Sequence, residues 1–142
     1  MNVKDLMIGD WVEVTYNHRK IKVNGVFVNA IDTTNGISPL MGDEIIPIPL
    51  LGQIAECNGF EKMVLASDVT LWKKRIDEES TVTTIELYFH VVGEMVVNII
   101  KSRKEAVNKN LYHSCDIRNV HELQHALRLC GLNGLADNLK VE

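Results

Sequence analysis

Residue types that announce a chemistry are scarce in this 142-residue chain. It has three cysteines, three prolines and 6% aromatic residues, and its 19 acidic side chains outnumber 15 basic ones for a formal charge of −4. Each shortage excludes something. Cys57, Cys115 and Cys130 are odd in number and irregularly spaced, so reduced thiols and a cytoplasmic location are expected in place of a disulfide framework. The negative balance offers no global field to nucleic acid. Short basic runs do stand at His18-Arg19-Lys20-x-Lys22, Lys73-Lys74-Arg75 and Lys101-x-Arg103-Lys104, each with acids close by. No apolar run reaches the roughly 18 residues that cross a bilayer, and the opening MNVKDLMIGD carries acids where a secretory signal needs an apolar stretch. Gly9, Gly25, Gly36 and Gly42 are single turn glycines and form no phosphate-cradling loop. The 46% hydrophobic and 24% charged content is an ordinary globular balance, which excludes wholesale disorder.

What is present is short-period patterning. Residues 1–46 read as a small β segment. DWVEVTY alternates, KIKVNGVFVNAID holds the hairpin signal Asn24-Gly25, and TTNGISPLMGDEIIPI adds turns at Asn35-Gly36 and Gly42-Asp43. Several short strands with tight turns predict a small curved sheet or barrel, and GDWVEV resembles the opening of an SH3-like barrel. Pro47-Ile48-Pro49 forces an extended joint. Residues 47–142 then read helix, three-stranded meander, helix. Pro49 suits the first turn of a helix through PLLGQIAECNGF, stopped at Asn58-Gly59 with Phe60 folding back. VTLWKKRI, TVTTIELYFHVV and MVVNIIK are the strands, the last two joined by a two-residue turn at Gly93-Glu94. Ile85, Leu87, Phe89 and Val91 fall on one face of the middle strand, with Thr84, Glu86, Tyr88 and His90 on the other. Residues 102–115 read as polar and irregular. The expected architecture is α+β: an SH3-like segment followed by an α-β-β-β-α unit with its helices on one face of an antiparallel meander.

One string spells a chemistry. His121-Glu122-Leu123-Gln124-His125 is the pattern H-E-x-x-H, which on a helix places two imidazoles on zinc and a carboxylate beside the attacking water. Three features weigh against that use. On a helical wheel Val120, Leu123, Ala126, Leu127 and Cys130 share an arc of roughly 120°, which leaves His121 and His125 on the opposite side, expected to face water. No histidine follows His125, and Asp137 and Glu142 are late carboxylates in what reads as a short tail. Glu122, three residues after a candidate N-cap Asn119, has a second use in a capping box. A structural ion held by His113, Cys115, His121 and His125 is the remaining metal alternative. Each cysteine suits a small buried hydrophobe better than a nucleophile, and Trp11 and Trp72 suit the core better than a ligand platform.

IGDWV, EIIPIPL, NGFEK and VHELQHALRLCGL together resemble a group of small, functionally uncharacterised proteins of gut anaerobes and their prophages and conjugative elements. The resemblance spans most of the chain and implies the layout above, with no activity to carry over. The expectation is therefore a non-enzymatic cytoplasmic accessory protein of a phage or mobile element, with no cofactor. It would work through protein contact or self-association. Two alternatives stand beside it: zinc binding or metallohydrolysis at His121 and His125, and nucleic-acid binding through Arg19, Lys20 and Lys22 on the β segment.

Overall fold

The computed structural model describes residues 5–26, 30–33, 40–41, 44–104 and 110–142. They form a mixed α+β architecture of two antiparallel five-stranded sheets and three short helices. The first sheet contains β1 (Trp11–Val14), β2 (Lys20–Val26), β3 (Ala30–Thr33), β4 (Leu40–Met41) and β5 (Ile45–Pro47), in the order β4-β3-β2-β1-β5. Period-two alternation turns Val12, Val14, Ile21, Val23, Ile31 and Ile45 into one small core, where they are at most 1% exposed. Asn24-Gly25 is not a hairpin turn. β2 runs through it to Val26, and its register against β3 shifts between Val23 and Gly25. The residue without a side chain serves a bulge within the strand. The other turns read from the sequence, at Asn35-Gly36 and Gly42-Asp43, lie outside the described residues. β4 and β5 end the strand order, so among the described residues the sheet does not close into a barrel.

The second sheet is a meander of β6 (Glu61–Ala66), β7 (Val69–Asp77), β8 (Thr81–His90), β9 (Met95–Arg103) and β10 (Asn110–Asp116). Its three central strands are the expected ones, and β8 turns Ile85 and Leu87 inward as its alternation predicts. Val91, expected on the same face, lies past the strand's end at 77% exposure, and Thr84, expected on the open face, is 5% exposed. Ile85 and Leu87 lie at 0% and 1% exposure in a core with Trp72, Val97 and Ile99. The two outer strands are corrections. β6 hides in the sequence because every residue of it is exposed, so nothing imposes alternation. β10 occupies part of the stretch read as irregular, and its register slips between Leu111 and His113, which breaks the period of two. Gly93, at φ +90°, belongs to a four-residue connection between His90 and Met95 instead of a two-residue turn. The Val91 amide is donated across to Asp68 of the neighbouring hairpin at 2.9 Å.

The helices are α1 (Gly52–Cys57), α2 (Val120–Leu129) and α3 (Asn133–Asp137). α1 begins later than Pro49 because the backbone there is used elsewhere: Leu50 donates to Arg118 O and Val120 to Ile48 O, both at 2.9 Å. The Pro-x-Pro joint thereby sets where α2 starts. α1 stops as expected, with Gly59 at φ +81° and Phe60 donating back to Ala55 O at 3.1 Å. The supposed tail is α3 plus an extended end whose Leu139 and Val141 are 3% and 6% exposed in the second core.

Candidate functional site

The sequence draws attention to α2, and the fold places it between two bodies of protein. Val120, Leu123, Ala126 and Leu127, each at most 2% exposed, form the apolar arc and enter the second core. Glu122 Oε1 accepts the Asn119 amide at 3.1 Å, which is the capping use expected of it. At the other end Lys101 Nζ donates to Cys130 O at 2.6 Å, a cation where the helix dipole favours one.

The opposite side of α2 does not face water. It lies against Met7–Trp11, the segment that leads into β1. Gln124 is 0% exposed; its Oε1 accepts the Trp11 amide at 3.0 Å. Its Nε2 donates to Gly9 O at 3.0 Å and Ala136 O at 3.1 Å, so one side chain ties the first sheet, α2 and α3 together. Beside it the Asp10 carboxylate, also 0% exposed, accepts from the Met7 amide at 2.8 Å, His125 Nε2 at 2.7 Å and Arg128 Nη1 at 2.5 Å. Burial alone would push this carboxyl up. The hydrogen bonds from His125, Arg128 and the Met7 amide, with the His125 charge, outweigh that and hold it below the ordinary aspartate value. The expectation of solvated imidazoles is therefore corrected. A helical wheel identifies the greasiest face but says nothing about a second surface that covers the polar one through partners 115 residues away.

The metal candidates separate in space. The His121 and His125 rings meet edge-on at 5.6 Å between centroids. His121 is 8% exposed with its Nδ1 buried and unpartnered, and burial pushes its imidazole below the usual histidine value while the Asp10 charge pulls the other way. His113 and Cys115 stand on β10 opposite Ile99 and Val97, where Cys115 packs against the second core. Burial pushes the Cys115 thiol up, and the Asp116 and Glu122 charges add to that, so the thiolate form a metal wants is disfavoured. Among the described residues no group of three or more His, Cys, Asp or Glu is placed to hold a metal ion.

The basic residues also have structural engagements. Lys22 Nζ donates to Asp137 O at 2.6 Å and sits 5.3 Å from the centre of the Trp11 ring, and Lys20 Nζ reaches Val141 O at 3.4 Å. Trp11 Nε1 donates to Leu139 O at 2.8 Å, so this patch grips the C-terminal segment. Lys74 Nζ donates to Asn58 O at 2.6 Å, and Arg75 pairs with Asp77 at 3.1 Å. Arg19 remains on the exposed surface.

Chemically, a carboxylate and an imidazole in contact are two parts of a nucleophile-activating triad. Among the described residues no hydroxyl or thiol is hydrogen-bonded to His125, and Arg128 occupies the other oxygen of Asp10. The cluster is built to hold two sheets together. Separate from it, a groove of about 710 Å³ runs between α1 and the second sheet, lined by Leu51, Gln53, Phe60, Lys62 and Trp72 among others. Beside the groove lies β6, where Met63, Val64 and Leu65 are 49%, 70% and 51% exposed; Val91 and Val92 reach 77% and 82% in the loop bonded to the adjoining hairpin. Asp10, Gln124 and Arg128 were missed as partners. The available signal was the joint appearance of IGDWV and VHELQH, which are the two halves of one contact. No helix among the described residues is long and apolar enough to cross a membrane. No protein family, curated protein or solved structure matches the chain.

Proposed function

We propose that this chain is a non-enzymatic protein-contact module. The carrying observation is the row of exposed aliphatic side chains at one border of the second sheet: Met63, Val64 and Leu65 on β6, with Val91 and Val92 at the nearby loop. Exposed apolar residues gathered in one place mark interaction surfaces far more often than scattered ones do. The polar groups that could have served catalysis support the reading from the other side, since Asp10, Gln124, His125 and Arg128 are engaged in joining the sheets. A cytoplasmic setting is part of the proposal, supported by the three cysteines standing free of disulfides, and work on behalf of a phage or mobile element rests on the sequence resemblance. The first sheet is read as SH3-like because β1 lies between β2 and β5, which brings the last strand back beside the first.

Photo-crosslinking amino acids at Val64 and Val92, installed in the chain inside its native host cell, test the reading. A defined protein species should crosslink at both positions and disappear when the neighbouring aliphatic positions are changed to lysine. Labelling as strong from Tyr16, exposed on the first sheet's side, would sink it.

A further inference from the structure

We infer that the contact between α2 and the Met7–Trp11 segment is an acid-opened latch: protonating His121 lets the first sheet part from α2 while each sheet keeps its own core. The two cores have no buried residue in common, and no strand ladder joins the two sheets. Side-chain hydrogen bonds join them, beside the Trp11 ring that packs on the second core. Asp10 meets His125 and Arg128, and Gln124 meets the Gly9 carbonyl and the Trp11 amide. Lys22 Nζ and Trp11 Nε1 donate to the carbonyls of Asp137 and Leu139. Water replaces hydrogen bonds of this kind more readily than it replaces apolar packing, so this seam can open with both cores intact.

His121 lies in this seam at 8% exposure, its ring edge-on to that of His125 with 5.6 Å between centroids. Its Nδ1 is buried and meets no partner. Whichever nitrogen carries the proton of the neutral ring, the imidazolium has an N–H at Nδ1, and the closed seam offers that N–H no acceptor. A buried charge with an orphaned donor is costly, so the closed form rejects the second proton and the hydrated open form takes it. The charged groups facing the ring are Asp10 and Asp5 from the N-terminal segment and Glu122 and His125 on α2. The three carboxylates favour the imidazolium, but Asp10 is engaged by His125 and Arg128, Glu122 by the cap, and Asp5 lies on the exposed surface. Burial outweighs them, and the His125 charge acts with it, so the imidazole is held low. Opening is therefore favoured as pH falls below about 6.5, where the open form binds the extra proton. Asp10, held below its ordinary value, stays ionised until below about pH 3.9, so the latch loosens before the carboxylate is lost.

Amide hydrogen exchange of the full chain between pH 8 and pH 5, corrected at each pH for the intrinsic exchange rate, decides the matter. The Trp11 amide donates across the seam to Gln124 and reports its opening. The Val14 amide, donated to Arg19 O, and the Ile117 amide, donated to Met95 O, report the first and second cores. Below about pH 6.5 the opening constant at Trp11 should rise by up to about tenfold per pH unit, the limit for one proton, while those at Val14 and Ile117 stay level. His121→Leu should flatten the Trp11 profile, since it removes the proton acceptor from a buried position. A Trp11 amide indifferent to pH in the wild type overturns the inference without recourse to any variant. A rise shared equally by Trp11, Val14 and Ile117 overturns it too, because the whole chain is then unfolding. A pH response that persists in a folded His121→Leu variant removes His121 as the trigger and overturns it as well.

Discussion

Replacing Asp10 by Asn tests how the two sheets are held together. The carboxylate is 0% exposed and accepts three hydrogen bonds, from the Met7 amide, His125 Nε2 and Arg128 Nη1. Asn keeps the volume and one oxygen, but its amide group turns an N–H toward the N–H of His125 or Arg128, and the negative charge is gone. Removing one partner of a buried ion pair costs about 3–5 kcal/mol. The Arg128 side chain is 15% exposed and also reaches Asp137 at 3.4 Å, so water and a second carboxylate offset part of the loss. A net destabilisation of about 2–4 kcal/mol remains, and for a chain of this size the melting midpoint drops by roughly 5–15 °C. Urea denaturation of D10N, R128M and the double variant measures it, with the slope unchanged and the midpoint lowered. Because both residues act through one contact, the double variant should lose less than the sum of the singles by about 1 kcal/mol or more. The acid limb supplies a second readout. A carboxyl held below its unfolded value contributes stability above about pH 3.9 that is lost as pH falls through the lowered value, and D10N should lack that loss. An unchanged midpoint in D10N, or strict additivity with R128M, would refute the clamp.

Gln124→Leu should lose about 2–4 kcal/mol, because it strands the Trp11 amide and the Gly9 and Ala136 carbonyls that Gln124 satisfies, and chemical denaturation checks it. His121→Leu should be neutral or stabilising at pH 8, since it removes a buried unpartnered Nδ1. In the wild type, burial holds the His121 imidazole low, so below about pH 6.5 the unfolded chain binds more protons and stability falls with pH; melting curves against pH should show that slope reduced in the leucine variant. Excess zinc or a chelator should leave the melting midpoint unchanged, because His125 Nε2 is engaged by Asp10 and the His121 ring is buried. A rise of several degrees with zinc would revive the metal reading of His121 and His125. Gly59→Ala should cost about 1 kcal/mol, seen as a lower urea midpoint, because φ there is +81°.

Legibility tracked how local the determining interaction is. The stop of α1 at Asn58-Gly59 and the Glu122 cap of α2 were readable because their partners lie within a few residues. The inward turn of Ile85 and Leu87 on β8 was readable because that part of the strand alternates, whereas the burial of Thr83 and Thr84 beside Val82 and Ile85 follows no alternation. β6 was not, since an edge strand exposed on both faces obeys no pattern, and the bulge at Leu111 to His113 concealed β10. Asn24-Gly25 misled for a related reason: the glycine that suits a hairpin turn also suits a strand bulge, and the choice depends on the strand that pairs with it.

Sequence alone determined the α+β class, the central meander and the inward stripe of α2, because each follows from a period of 2 or 3.6 residues and the aversion of apolar surface for water. Tertiary structure alone decided the fate of the polar side. Gln124, His125 and Arg128 would suit an exposed helix face equally well, and they become a buried clamp only because Gly9, Asp10 and Trp11, more than a hundred residues earlier, are carried against them. A hydrogen bond between groups so distant in the chain leaves no periodic trace, so the same letters that suggested a zinc helix describe the seam between two sheets.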